Sequence, residues 1–398
     1  MQLAKRMQRL GTETAFSVSA EAAQHAAQGN TVYPFHLGDL NLATPSSVVQ
    51  GAVQAIEQGK TGYCPNAGIP ELRQALAEEV NSTRGTGYSM ENAAVQPGGK
   101  PVISKFLLSL MNPGDEVLYP NPGFPIYESQ IEFLGGRAVP YPYLEQGGRF
   151  SVDLEELQRL ITAQSKLIIV NDMHNPTGAM CSRQELQRLA QLIKDNDLFV
   201  LLDEAYFDIC YAEDRLSLAG MPGMQERCLM LYTFSKKFAM TGWRLGAALG
   251  PEELIQGVTR LNVNQESCSN HFVQYGALAG LKQGHKEAEE IVQRLRRRRD
   301  TAVDLLRQIP GVSCSCPEST FYLYPNVTGL IQAMGTDLEN FRRQLLQETG
   351  VSACARHHFG RPLPGEDQAY LRLAYSGISQ EGIKSGLQAF KEFAEQRG

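Results

Sequence analysis

The chain has 398 residues, 42% hydrophobic and 20% charged, with 37 Lys plus Arg against 43 Asp plus Glu and a formal net charge of -6. This is the balance of an ordinary folded protein, so disorder as the main state is excluded. A standing grip on nucleic acid or acidic lipid, which needs concentrated positive charge, is also excluded. Two or three domains are expected at this length, and the longest apolar runs, such as Leu198 to Leu202, fall far short of the roughly 18 residues of a membrane span.

At the N-terminus, Lys5, Arg6 and Arg9 stand among Leu3, Met7 and Leu10 without the continuous apolar stretch of a secretion signal, which predicts an arm or first helix. Gly98-Gly99-Lys100-Pro101 then opens an apolar helical pattern through Leu110. Proline suits the first helical turn, and the amides exposed there can hold phosphate. The phosphate loop of ATP enzymes is ruled out by spacing, and Gly85-Thr86-Gly87 runs on to Met90 where a dinucleotide fingerprint needs glycine.

From about residue 95 to 250, short apolar runs alternate with helical patterns, the rhythm of strand-helix-strand units and a mainly parallel sheet. Leu167 to Val170 reads as a strand, Asn175-Pro176-Thr177-Gly178 breaks the chain, and Ser182 with Glu185 forms a capping box. The helix that follows puts Leu186, Leu189, Leu192 and Ile193 on one face. The next run, Leu198 to Leu202, ends at Asp203-Glu204, and a third, Cys228 to Phe234, ends at Ser235-Lys236. Each of Asn175, Asp203 and Lys236 alone reads as a turn residue. Together they follow the carboxyl ends of successive buried strands, where open α/β sheets bind ligands.

Beyond residue 285, Glu287, Glu289 and Glu290 precede Arg294 and Arg296 to Arg299, a solvated helix face. The last 80 or so residues mix both patterns and predict a smaller α+β domain that also recruits the N-terminus. The eight cysteines form no C-x-x-C pair and have no matching histidine spacing, so neither a zinc site nor a redox dithiol is indicated and a reducing cytoplasm is expected. The only close pair, Cys314 and Cys316, sits in a strand-like segment.

The most specific signal is Thr233-Phe234-Ser235-Lys236, followed eight positions later by Arg244 within Met240-Thr241-Gly242-Trp243-Arg244-Leu245-Gly246. With Gly62-Tyr63-Cys64-Pro65-Asn66-Ala67-Gly68, Asn175-Pro176-Thr177-Gly178, Asp203-Glu204-Ala205-Tyr206 and Leu371-Arg372-Leu373, the sequence resembles the class I/II aminotransferases of pyridoxal-phosphate fold type I, most of all their aspartate aminotransferase branch. The resemblance covers nearly the whole chain. It implies an α/β fold with a large domain built on a mainly parallel seven-stranded sheet and a small α+β domain. It divides the chain into an N-terminal arm and part of the small domain (1–45), the large domain (46–284) and the C-terminal part of the small domain (285–398).

The resemblance also implies roles. Lys236 carries pyridoxal 5'-phosphate covalently and moves the substrate proton. Asp203 faces the pyridine nitrogen and keeps it protonated. Asn175 and Tyr206 bond the ring oxygen, and the Phe124 ring stacks on the cofactor. The phosphate falls to the amides of Gly99 and Lys100, the hydroxyls of Thr233 and Ser235, and Arg244. Tyr63 reaches the phosphate of a partner subunit, which implies a homodimer with shared sites. Arg372 clamps the substrate carboxylate, and Gly38 lets the backbone approach the substrate.

Departures from the family pattern fall near the substrate. Thr233 stands for the usual serine, Ser319-Thr320 precede Phe321, and Ser269 replaces a common proline. Asn171-Asp172-Met173-His174 precedes Asn175, and Ala355-Arg356 followed by His357 and His358 replaces the usual Pro-Gly. Arg356 or one of these histidines is therefore expected to touch the substrate side chain and favour an acidic or polar donor. The expected reaction is transamination between an amino acid and a 2-oxo acid, with 2-oxoglutarate as the expected acceptor. A carbon-sulfur or β-lyase is the nearest rival, because fold does not fix the bond broken. An idle sensor module is a more distant one, disfavoured by the complete lysine, aspartate and arginine set and by only 30 or so residues ahead of the core.

Overall fold

The computed structural model describes residues 1–11 and 15–397. Its centre is a twisted sheet with the strand order Ala93–Gln96, Gly246–Leu249, Cys228–Thr233, Phe199–Asp203, Ser165–Val170, Glu116–Asn121, Arg137–Gln146. Gly246–Leu249 runs antiparallel to both neighbours, and the five strands beyond it run parallel to one another. An eighth strand, Arg149–Val152, folds back as a hairpin on the far end of Arg137–Gln146, adding to the expected seven.

The central strands are apolar throughout because helices cover both faces of the sheet. One buried cluster joins Ile168, Val170, Val200 and Leu202 to Leu186, Leu189 and Ile193 of the helix Arg183–Asp195. The other joins Leu167, Ile169 and Leu201 to Val102, Ile103 and Phe106 of the helix Lys100–Leu110. The capping box of Ser182 and Glu185 starts the first of these helices.

A second core gathers Val303, Phe321, Phe341, Leu373 and Phe390 from the C-terminal third. The N-terminal segment joins it, since Tyr33–Pro34 runs parallel to Val351–Ser352. The acidic and basic run beyond residue 285 is the 22-residue helix His285–Leu306. Cys314 and Cys316 lie outside any strand, contrary to expectation; the chain there is held by a lone bridge from Ser313 to Asn326. Among the described residues, no helix is long and apolar enough to cross a membrane.

Candidate active site

The sheet order explains how three distant polar residues meet. Ser165–Val170, Phe199–Asp203 and Cys228–Thr233 are parallel neighbours, so their carboxyl ends lie side by side. The chain leaving each end supplies Asn175, Asp203 and Lys236 to one cavity of about 370 Å³. Gly38, Gly99, Lys100, Phe124, Tyr206, Thr233, Ser235, Arg244 and Arg372 line the same cavity.

Asp203 is buried. Its Oδ2 accepts a 2.6 Å hydrogen bond from the Tyr127 hydroxyl and its Oδ1 one of 3.0 Å from the Ala205 amide. Burial, with the neighbouring Glu204, holds its carboxyl above the usual value, and these two donors offset that only in part. Lys236 Nζ donates to the Gly38 carbonyl at 2.8 Å. The Tyr206 and Tyr322 hydroxyls are 2.7 Å apart, and burial drives the Tyr206 phenol well above its ordinary value.

One end of the cavity is built for an anion. Thr233 caps the turn Phe234–Lys237 by accepting from the Ser235 amide, which sets both hydroxyls at the cavity wall. The helix Lys100–Leu110 begins at Gly99 without a side-chain cap, and Gly99 and Lys100 at its N-terminus line the cavity, where helix amides favour an anion. Arg244 adopts left-handed backbone (φ 57°, ψ 58°) and packs over Gly98, where a Cβ would meet its Nη2 at 2.4 Å. A phosphate-sized cradle with amides, two hydroxyls and a guanidinium, a stacking ring in Phe124 and a buried carboxylate beyond it fits pyridoxal 5'-phosphate.

Arg372 forms the other pole. Its guanidinium lies between the rings of Tyr322 and Phe359, 4.4 and 4.6 Å from their centroids. Nη1 donates to Asn175 Oδ1 at 3.1 Å and Nη2 to the His36 carbonyl at 2.7 Å. Its Nε is buried with no hydrogen-bond partner among the described residues. The fork is thereby fixed in plane before any substrate arrives.

Three of the expected residues, Arg356, His357 and Tyr63, stand outside this cavity. Arg356 is only 4% exposed and does not line this cavity, which corrects the expectation that it touches the substrate. Its guanidinium pairs with Glu366 and donates to Asn121 Oδ1 at 2.7 Å, so a nearby carboxylate holds the charge away from the site. His357 also turns aside, its Nε2 lying 3.2 Å from Glu339, whereas His358 does line the cavity. Burial and the neighbouring His357 lower His358 to about 4, so it is neutral at physiological pH. Tyr63 is 88% exposed and outside its own chain's cavity.

Sequence reasoning missed Tyr127, Tyr322, Phe16, Asp39 and Phe359, all of which line the cavity. Tyr127 lies in the first turn of the helix Ile126–Phe133, just after Phe124, and its ring meets Phe124 edge-on. Nothing in the sequence marked Tyr322. Asn171, noted only as a departure, donates to the Asp203 carbonyl and accepts from the Asn175 amide, tying two strand ends together.

The sequence profile described as aminotransferase class I and II matches residues 31–390. A probable aspartate/prephenate aminotransferase of Aquifex aeolicus (strain VF5) is 32% identical, with 99% of each chain covered. Among solved structures, the aspartate aminotransferase from Thermus thermophilus with maleate superposes with a TM-score of 0.90 at 30% identity, covering 98% of this chain and 99% of that one. N-succinyldiaminopimelate aminotransferase from Mycobacterium tuberculosis reaches 0.91 at 27% identity over 99% and 100% of the two chains.

Proposed function

The chain belongs to the class I and II aminotransferases, and within that family we propose that its amino donor is a dicarboxylic amino acid such as aspartate or glutamate, with 2-oxoglutarate as the matching acceptor. It is a pyridoxal-phosphate-dependent enzyme of fold type I that transfers amino groups between amino acids and 2-oxo acids. The observation that carries the dicarboxylate reading is that Lys100 lines the cavity as a further cation beside Lys236, with Arg244 at one end and Arg372 at the other. Arg244 serves the phosphate and Arg372 the α-carboxylate. The Lys100 ammonium lies 5.5 Å from the centroid of the Phe124 ring. The aspartate-directed names of relatives support the same reading.

Bound pyridoxal 5'-phosphate supplies the carbon that takes the amino group and a ring that draws negative charge from the substrate Cα. The chain supplies the rest. Asp203 presents a carboxylate whose position is fixed by Tyr127 and Ala205. Arg372 would orient the amino acid by its carboxylate, and Lys236 Nζ would take the Cα proton and deliver it to the cofactor carbon that receives the amino group. Asn175 joins these tasks, because its amide oxygen holds Arg372 while its backbone is held by Asn171.

The assembly belongs to the same proposal: a homodimer in the cytoplasm, with Tyr63 completing the partner's phosphate site. Its exposure supports this, as does the exposed apolar stripe Val49, Val53 and Ile56 on the helix Ser46–Glu57. The test is to mix cofactor-loaded enzyme with single amino acids and follow the cofactor absorbance, then add 2-oxo acids. A shift with aspartate or glutamate, reversed by 2-oxoglutarate, is expected, with ping-pong kinetics. A shift confined to neutral donors would overturn the dicarboxylate reading, and ammonia with pyruvate would point to elimination.

A further inference from the structure

A second cavity, of about 640 Å³, opens between the strands Arg137–Gln146 and Arg149–Val152 on one side and the segment 363–370 with Tyr324 on the other. It shares no lining residue with the catalytic cavity. Its aromatic wall is ordered: the Tyr324 and Tyr370 rings stack 4.8 Å apart at 5°, and Phe150 meets each of them edge-on at 5.5 Å. The Tyr324 hydroxyl is buried with no hydrogen-bond partner among the described residues. A buried hydroxyl left without a partner is costly, and a ligand that meets it recovers that cost.

The charged part of the lining is mostly acidic. Glu145, Asp153, Glu156, Glu366 and Asp367 contribute carboxylates; Glu156 pairs with Arg159, Asp153 caps the helix Leu154–Leu160, and the one lining cation, Arg356, is paired with Glu366. Glu145 already accepts from the Tyr370 hydroxyl at 2.9 Å through Oε2, which fixes its carboxylate beside the aromatic wall. Aromatic faces and a fixed carboxylate in a negative cavity select positive charge carried on an apolar body.

We propose that this cavity binds a small organic cation whose ring packs on the Phe150, Tyr324 and Tyr370 wall while its N–H groups meet the Tyr324 hydroxyl and the Glu145 carboxylate. Benzamidine has the required planar cation and apolar ring, and benzamide is its neutral counterpart. Calorimetric titration of the holoenzyme with benzamidine, in saturating 2-oxoglutarate, is expected to show saturable binding at one site. Benzamide binds at least tenfold more weakly. Tyr324→Phe and Glu145→Gln each weaken benzamidine at least threefold while leaving the cofactor absorbance unchanged. Absence of saturable binding, equal binding of benzamide, loss of binding on adding 2-oxoglutarate, or undiminished binding in both variants would overturn the proposal.

Discussion

Gly38→Ala tests whether the backbone at the cavity mouth and the Tyr322 hydroxyl form one unit with the catalytic groups. A methyl group at Gly38 would sit 2.1 Å from Tyr322 Oη and 3.0 Å from its Cζ. Ordinary contact needs about 3.5 Å, so the hydroxyl must withdraw by roughly 1 Å or more. That movement stretches the 2.7 Å contact with Tyr206 and shifts the ring beneath Arg372, while the altered residue still carries the carbonyl that holds Lys236. Losing the tyrosine pair costs about 1 kcal/mol, and a displacement of about 1 Å at the carboxylate clamp costs about a hundredfold in rate. Steady-state kcat/KM is expected to fall about a hundredfold or more. Tyr322→Phe alone costs about fivefold, the equivalent of about 1 kcal/mol. The double variant, which removes the clashing oxygen, recovers part of the loss seen in Gly38→Ala. A Gly38→Ala enzyme of near wild-type kcat/KM, or a double variant no better than that single one, would refute the reasoning.

Arg372→Lys replaces a planar fork held between two rings by a point charge, and kcat/KM is expected to fall about a hundredfold for every donor alike, because all share the α-carboxylate; a loss confined to one donor would count against the clamp. Tyr127→Phe removes a donor that lowers the Asp203 carboxyl, so that carboxyl rises further and the acid limb of the kcat/KM profile moves to higher pH, readable from the rate profile. Burial raises the Asp172 carboxyl from 3.8 to about 6, so the folded protein keeps a proton that the unfolded chain loses, and stability falls as pH rises toward and through about 6. Asp172→Asn is therefore expected to gain about 3 kcal/mol in denaturant unfolding at pH 8 and about half that at pH 5. Arg356→Ala leaves the buried side of Glu366 without its cation and is expected to cost about 2 kcal/mol of stability while donor preference, measured as kcat/KM ratios, stays unchanged.

The chemistry of this protein is legible in its sequence because it is tied to local features. The strand ends before Asn175 and Lys236, the strand ending at Asp203, the capping box at Ser182 and the glycines before Lys100 are short-range patterns of apolar runs and turn residues. Parallel strands with covered faces must then bring those ends together. The resemblance to the family motif also singled out Arg372, between Leu371 and Leu373, and the structure places it in the lining of the cavity.

The direction of long side chains was decided by tertiary contacts alone. Arg356 lies close in sequence to His358 and reads as an entrance cation, yet Glu366 and Asn121, brought up from other segments, draw its guanidinium out of the catalytic cavity. His357 and His358 are adjacent, yet only the second lines that cavity, because Glu339 on a neighbouring helix holds the first. Tyr127 and Tyr322 gain their importance from partners 76 and 116 residues away. Patterns of neighbouring residues fix which elements form and which ends converge, whereas the partner that a flexible charged or aromatic side chain finds depends on chains that meet only after folding.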